Sequence, residues 1–265
     1  MSPKMKPKPA TDLSIKAFAR DFVKETFYLD HRLMKTLAML FGKPGRLTLL
    51  YFKNPGSQYI QPLKLYFAIN FIFFLLIPIL NTPHFRLFSF NMKSMIYNNP
   101  RFQQIIENEI QKSGVKPDIY EERFNANVKY NKPAFIFLVV PVFALLLFAV
   151  NFRRRRYYIE HLIFAFHFLS FYLLILLLII AFYRAYDFGA KLFGFSVGSG
   201  ALVLGVLVFL VPWLYLIRGT QTFYQNKLLM ALLKAAILMA GFWATISGYV
   251  IFLFFYTTLV LRVGY

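Results

Sequence analysis

Five stretches of this chain are apolar and long enough, or nearly so, to cross a bilayer, and the rest of the sequence has to be arranged around them. A helix needs about twenty mostly apolar residues to cover the roughly 30 Å hydrocarbon core, where no water satisfies exposed backbone groups. The candidates are residues 63–80, 134–150, 160–183, 195–217 and 229–257. The first two are short for the core, and the last is long enough to tilt. Pro141 and Pro212 fall inside spans, where neighbouring helices can take up the carbonyls that proline leaves free. The expected fold is an all-α polytopic membrane helix bundle of about five spans. Composition agrees, since 58% of the residues are apolar against roughly 45–50% in soluble domains.

Residues 1–10, with three Lys and three Pro, read as a disordered basic tail. Lysines without a following apolar stretch do not make a signal peptide, so the N-terminal segment is expected to stay uncleaved and cytoplasmic. Residues 11–58 read as cytoplasmic or interfacial amphipathic helices. Ile15, Phe18 and Phe22 fall on one stripe, with Lys16, Arg20 and Lys24 turned away. Asp30 can cap a second helix whose Leu33, Met34, Leu37, Leu40 and Phe41 share a face, ended by Gly42, Pro44 and Gly45. Such helices lie along the membrane surface or pack under the bundle. Residues 59–265 hold the spans, with 81–133 as an extracytoplasmic insert. There Asn99 and Pro100 start one helix, ended by Gly114, and Pro117 and Asp118 start another. They are expected to form a hairpin whose apolar faces pack on each other or on the membrane.

Thirty Lys and Arg stand against eleven acids, a formal charge of +19. The basic residues lie mainly at the ends of apolar runs, so orientation and anionic headgroups explain them, and nucleic acid is not an expected partner. Nineteen of the thirty fall in the segments through Lys64, 151–159 and 218–234, which places these in the cytoplasm. With five spans the C-terminus is then outside. The absence of cysteine removes disulfides, Cys-ligated zinc, iron–sulfur clusters and a Cys nucleophile.

Ionisable residues within spans are the candidates for function. Arg153, Arg154, Arg155 and Arg156 precede Glu160 and His161, with His167 deeper. Glu160 and His167 lie within about 20° on one helical stripe but about 10.5 Å apart along the axis. They could line a cleft as a proton relay or headgroup site. Alternatively, His167 bonds a carbonyl or hydroxyl across the bundle while Glu160 pairs with the arginines, or both sit in the interface. His161 and His167 diverge by about 120°, so one helix cannot present both to a metal, and neither a metal nor a cofactor is expected. The four arginines suit a topology anchor or an anionic lipid headgroup. Asn70, with Tyr66 one turn earlier, suggests an interhelical hydrogen bond, and Arg184 with Asp187 a surface pair. Ala236, Ala240, Ala244 and Gly248 recur every four residues and form a smooth helix-packing face, either within the bundle, the preferred reading, or in a dimer. Gly194 with Gly198, and Ser196 with Gly200, are similar pairs at the start of span four. No nucleophile–base arrangement, P-loop, GxGxxG or GxSxG is present, so the chain does not read as an enzyme.

Three blocks carry a family resemblance: FYLDHRLMKTLAMLFGKPGRLTLLYF with YIQPLKLYFAINFIFFLL (27–52, 59–76), the Pro-containing span with basic turn and Glu-His…His helix (133–174), and YLIRGTQTFYQNKLLMALLK (215–234). Together they resemble the uncharacterised bacterial membrane family known as domain of unknown function three-six-six-seven. Many members carry a Cys-rich zinc ribbon, which this Cys-free chain lacks, and the basic stretch before the Tyr…Pro element is replaced by Asn54-Pro55-Gly56-Ser57-Gln58. The resemblance implies the topology and marks Glu160, His161 and His167 as positions of interest, but implies no activity. The expected role is a non-enzymatic inner-membrane accessory or scaffold subunit that docks a membrane partner or a second copy and binds anionic lipid at its basic face. The alternatives are a transporter or channel-like carrier with a Glu/His relay, and a lipid-modifying membrane enzyme.

Overall fold

The computed structural model describes residues 31–54, 58–80, 92–93, 100–193 and 200–263. Expectations for the basic tail, the helix after Thr11, the caps at Asp30 and Asn99 and the small-residue pairs beginning at Gly194 and Ser196 lie outside them, wholly or in part. The described residues are helical and contain no strand. They form α1 (31–42), α2 (Arg46–Lys53), α3 (Pro62–Leu80), α4 (Pro100–Ser113), α5 (Pro117–Phe135), α6 (Val139–Val150), α7 (Tyr158–Phe193), α8 (Gly200–Tyr224) and α9 (Leu228–Val263). Five helical stretches among them are long and apolar enough to cross a membrane: Pro62–Leu80, Pro117–Val150, Tyr158–Phe193, Gly205–Tyr224 and Leu228–Arg262. The chain is a multi-pass membrane protein.

Helix α7 is the axis of the bundle. In its most apolar window 78% of the residues are buried, against 28–44% in the other four spans. It packs on α3, α6 and α8, while α9 closes the ring against α6 and α8. That burial explains why α7 is apolar on all sides: a helix surrounded by protein has no face left for lipid or water. Phe164, Phe168, Leu173 and Leu176 from α7 meet Phe143 of α6, Tyr215 of α8 and Phe242 of α9 in one aromatic-rich core. At 36 residues, α7 and α9 each run about 54 Å, well beyond the hydrocarbon core.

Span two differs from the expected boundary at 133/134. Helix α5 runs through a 3₁₀ turn at Ile136–Leu138 directly into α6, so the second helix of the insert and the span are one bent rod. The carbonyls disturbed at this bend are taken up from other helices. Tyr249 of α9 donates to the Lys132 carbonyl (2.8 Å), Asn70 of α3 to that of Pro133 (2.9 Å) and Tyr66 to that of Ile136 (3.4 Å). The interhelical role expected for Asn70 and Tyr66 is therefore present, directed at the proline-bearing span. The insert also packs differently from a self-contained hairpin. Its apolar residues lean on the far end of α9, with Phe102 stacked on Phe254 at 4.1 Å and Glu109 paired to Arg262 at 3.1 Å. Arg184 and Asp187 do form a pair, at 3.7 Å, which Lys191 joins at 2.9 Å.

The segment ahead of the spans is docked into the bundle. Helix α1 buries Thr36 and Leu40, whereas Leu33 and Met34 are exposed, so the buried line is rotated from the apolar face read in the sequence. The Thr36 hydroxyl donates to the Arg32 carbonyl and accepts from the Ile60 amide, which makes a polar residue tolerable on that line. Gly45, at φ 80, turns the chain into α2, and a Cβ there would sit 2.8 Å from the Gly219 carbonyl oxygen. Both the left-handed backbone and the close crossing of α8 require glycine.

Candidate functional site

Glu160, His161 and His167 of α7 are each engaged by a specific partner. Glu160 occupies the third position of the helix, and its Oε2 accepts the Tyr157 amide at 3.0 Å, one half of a capping box. Its Oε1 holds Arg156 at 2.6 Å, and Arg156 in turn donates to the Phe223 carbonyl at 2.9 Å and lies 4.2 Å over the Phe223 ring. One carboxylate therefore caps α7 and, through a guanidinium, satisfies an end-of-helix carbonyl of α8.

The two histidines point to different helices, as their angular separation requires. His161 is fully buried, with Nδ1 2.7 Å from the Tyr224 hydroxyl and its ring stacked on Tyr224 at 5.3 Å. Its Nε2 is buried and has no hydrogen-bond partner among the described residues. His167, also buried, has Nδ1 2.8 Å from the hydroxyl of Thr48 in α2. Glu160 and His167 thus go to unrelated partners, in the arrangement where the histidine bonds a hydroxyl across the bundle and the glutamate pairs with an arginine. Among the described residues, no group of three or more His, Asp and Glu side chains is placed to hold a metal ion.

The arginine run does not act as a unit. Arg156 is tied down as above, and Arg154 donates to the Gln225 carbonyl and to Asn226 Oδ1, both at 3.0 Å. Arg153 and Arg155 are exposed, and Arg155 takes the left-handed φ of 49 that turns the chain into α7. Asn226 belongs to a second polar knot that the sequence did not reveal. Lys234 of α9 donates to Asn151 Oδ1 at 2.9 Å and Asn226 Oδ1 at 3.5 Å, and Asn226 reaches Asn151 at 3.5 Å. The turn after α6 and the turn after α8 are stitched together at this end of the bundle.

The segment that supplies Thr48 is also the one a comparison identifies. Residues 30–74 match the family described as Protein of unknown function (DUF3667). No curated protein and no solved structure matches the chain. The DUF3667 match covers the opening block of the resemblance and ends within α3. It therefore holds Gly45, Thr48, Tyr66 and Asn70, which reach Gly219, His167, Ile136 and Pro133, while Glu160, His161 and His167 stand outside it and His167 alone of the three bonds a residue within it.

The small-residue face of α9 takes an unexpected position. Ala236, Ala240, Ala244 and Gly248 are all exposed on the outside of the bundle. Packing within the bundle, the preferred expectation for them, is not what the structure contains. The inward line is Ala231, Ala235, Leu238 and Phe242, and at Gly241 a Cβ would run into the Leu146 side chain of α6. Both stripes consist of apolar residues at helical spacing, so spacing alone gave no sign of which faces inward.

Proposed function

We propose that this chain is a non-enzymatic, multi-pass subunit of a bacterial inner membrane that docks a membrane-protein partner and holds anionic lipid at its basic face. In this reading the turns at 151–157 and 225–227 face the cytoplasm with the N-terminus, and the insert at 100–135 and the C-terminus lie outside. The observation that carries it is the uncovered stripe of Ala236, Ala240, Ala244 and Gly248. It borders a groove between α8 and α9 lined by Gly205, Phe209, Trp213, Ala240 and Trp243. A smooth floor beside aromatic walls lets a partner helix approach closely, and helix association in lipid is driven by that kind of contact. Supporting it further, the ionisable residues that a relay or a catalytic site would need already have structural partners, Glu160 with Arg156 and His167 with Thr48. That is why the carrier reading is the weaker one.

The direct test is an Ala240→Leu, Ala244→Leu double substitution, read by gel filtration in mild detergent. The reading expects a smaller assembly with unchanged thermal stability. An unchanged size counts against an interface on this face. The carrier reading has its own check, because Glu160→Gln with His167→Ala should abolish a pH-dependent flux in proteoliposomes if a relay operates.

A further inference from the structure

The cluster around Lys234 holds positive charge in a fixed geometry, with no carboxylate paired to it among the described residues. Lys234 lies six residues into α9, about 9 Å along the axis from Leu228, on a helix that is otherwise apolar over most of its length. Its side chain runs back to the turns, where two of its three N–H donors end on Asn151 and Asn226. Arg154 Nη2 donates to the same Asn226 oxygen, so two cations are held side by side by one amide. Arg153 is within electrostatic reach of Lys234 as well. The amides that pin them are buried, Asn151 to 1% and Asn226 to 6% exposure.

No carboxylate joins this cluster among the described residues. Glu160, the acid at this end of α7, is bound to Arg156. Glu107, Glu109, Asp118, Glu121 and Glu122 belong to the insert, and Asp187 is at the far end of α7. The third donor of Lys234, and the Nε and Nη1 donors of Arg154, remain without partners among the described residues. Donors with full charge, a fixed position and access from outside are what a tetrahedral oxyanion needs.

We propose that Lys234 and Arg154, with Arg153 at the rim, form a binding site for a phosphate group. The group is either the headgroup phosphate of an anionic lipid or a free phosphate. This rests on the reading that the basic face holds anionic lipid, and narrows it from the arginine run to a lysine of α9 and one end of that run. Arg156 is excluded because Glu160 and Phe223 already hold it, and Arg155 because no side-chain partner fixes it among the described residues.

The test uses the full chain, delipidated in a neutral detergent. Dioleoyl phosphatidylglycerol or dioleoyl phosphatidylcholine is added and the first bound lipid read by native mass spectrometry. Inorganic phosphate is titrated in parallel and read by ³¹P line broadening. The site predicts a preference for phosphatidylglycerol that K234Q and R154Q each weaken by about fivefold or more, that R155Q leaves unchanged, and that K234R retains. If K234Q does not fold, R154Q carries the same comparison. Phosphate broadening lost in K234Q, without any lipid preference, also supports the site and assigns its oxyanion to a soluble source. Equal weakening by R155Q and K234Q overturns the site while leaving a generally lipid-attracting face. No lipid preference and no broadening in the unaltered chain overturns both.

Discussion

Thr48 and His167 are 119 residues apart and meet inside the bundle, and the contact explains why a polar ring is tolerable there. Thr48→Val keeps the shape and removes the hydroxyl, leaving the Nδ1 of a buried ring without its partner. The expected cost is about 1–3 kcal/mol, read as a lower thermal unfolding temperature in detergent, with Thr48→Ser recovering most of it. An unchanged unfolding temperature would mean the contact contributes nothing. Gly45→Ala is expected to be worse than the roughly 1–2 kcal/mol of a left-handed alanine alone, because its Cβ also meets the Gly219 carbonyl. Increased proteolytic cutting within 31–54 would report the loosened segment. His167 was legible from the sequence as a group needing a partner, and a hydroxyl across the bundle was among the possibilities. Thr48 was not, because a single threonine in Arg46–Lys53, among leucines and aromatics, has no periodicity to mark it. Lys234 and Asn226 were missed for a related reason: each gains its meaning from a turn brought to it by another helix.

At the scale of the element, α9 shows how far periodicity goes. The four-residue repeat of small residues was readable and is present on one face, but an all-round apolar helix does not say which face its neighbours take. The structure turns the repeat outward and puts Gly241 inward against Leu146. Gly241→Leu should therefore destabilise by about 1–3 kcal/mol or more through overpacking, whereas Ala240→Leu should stay within about 0.5 kcal/mol. Equal effects on the unfolding temperature would contradict this assignment of faces. Span two makes the complementary point. The apolar run from Ala134 was recognisable, but its continuity with the polar helix before it was not, since the change from polar to apolar composition near Pro133 read as a boundary. Tyr249, Asn70 and Tyr66 bring donors to the bend from two other helices. Asn70→Ala removes one of these donors, and a loss of about 1–3 kcal/mol is expected in the same unfolding measurement.

For the whole molecule, length and hydropathy sufficed to read five spans, because the bilayer fixes how long an apolar helix must be. The order of packing, with α7 at the centre, was not legible, since lipid and protein interiors are equally apolar. Because successive spans alternate in direction, the two turns at 151–157 and 225–227 lie opposite the insert. The chain has no cysteine, so single substitutions label cleanly. In the proposed orientation Gln103→Cys reacts with an impermeant maleimide from outside, and Lys227→Cys reacts only after permeabilisation; the reverse pattern would invert the topology. The central claim is that the outer face of α9 meets another protein. The measurement that addresses it most directly places a photoreactive benzophenone side chain at position 240 in native membranes, with position 235, which is buried, as the control. The account predicts one discrete protein adduct from position 240, absent from 235 and lost when Ala244 and Gly248 are enlarged to Leu. An adduct pattern from position 240 consisting of lipid alone would contradict it.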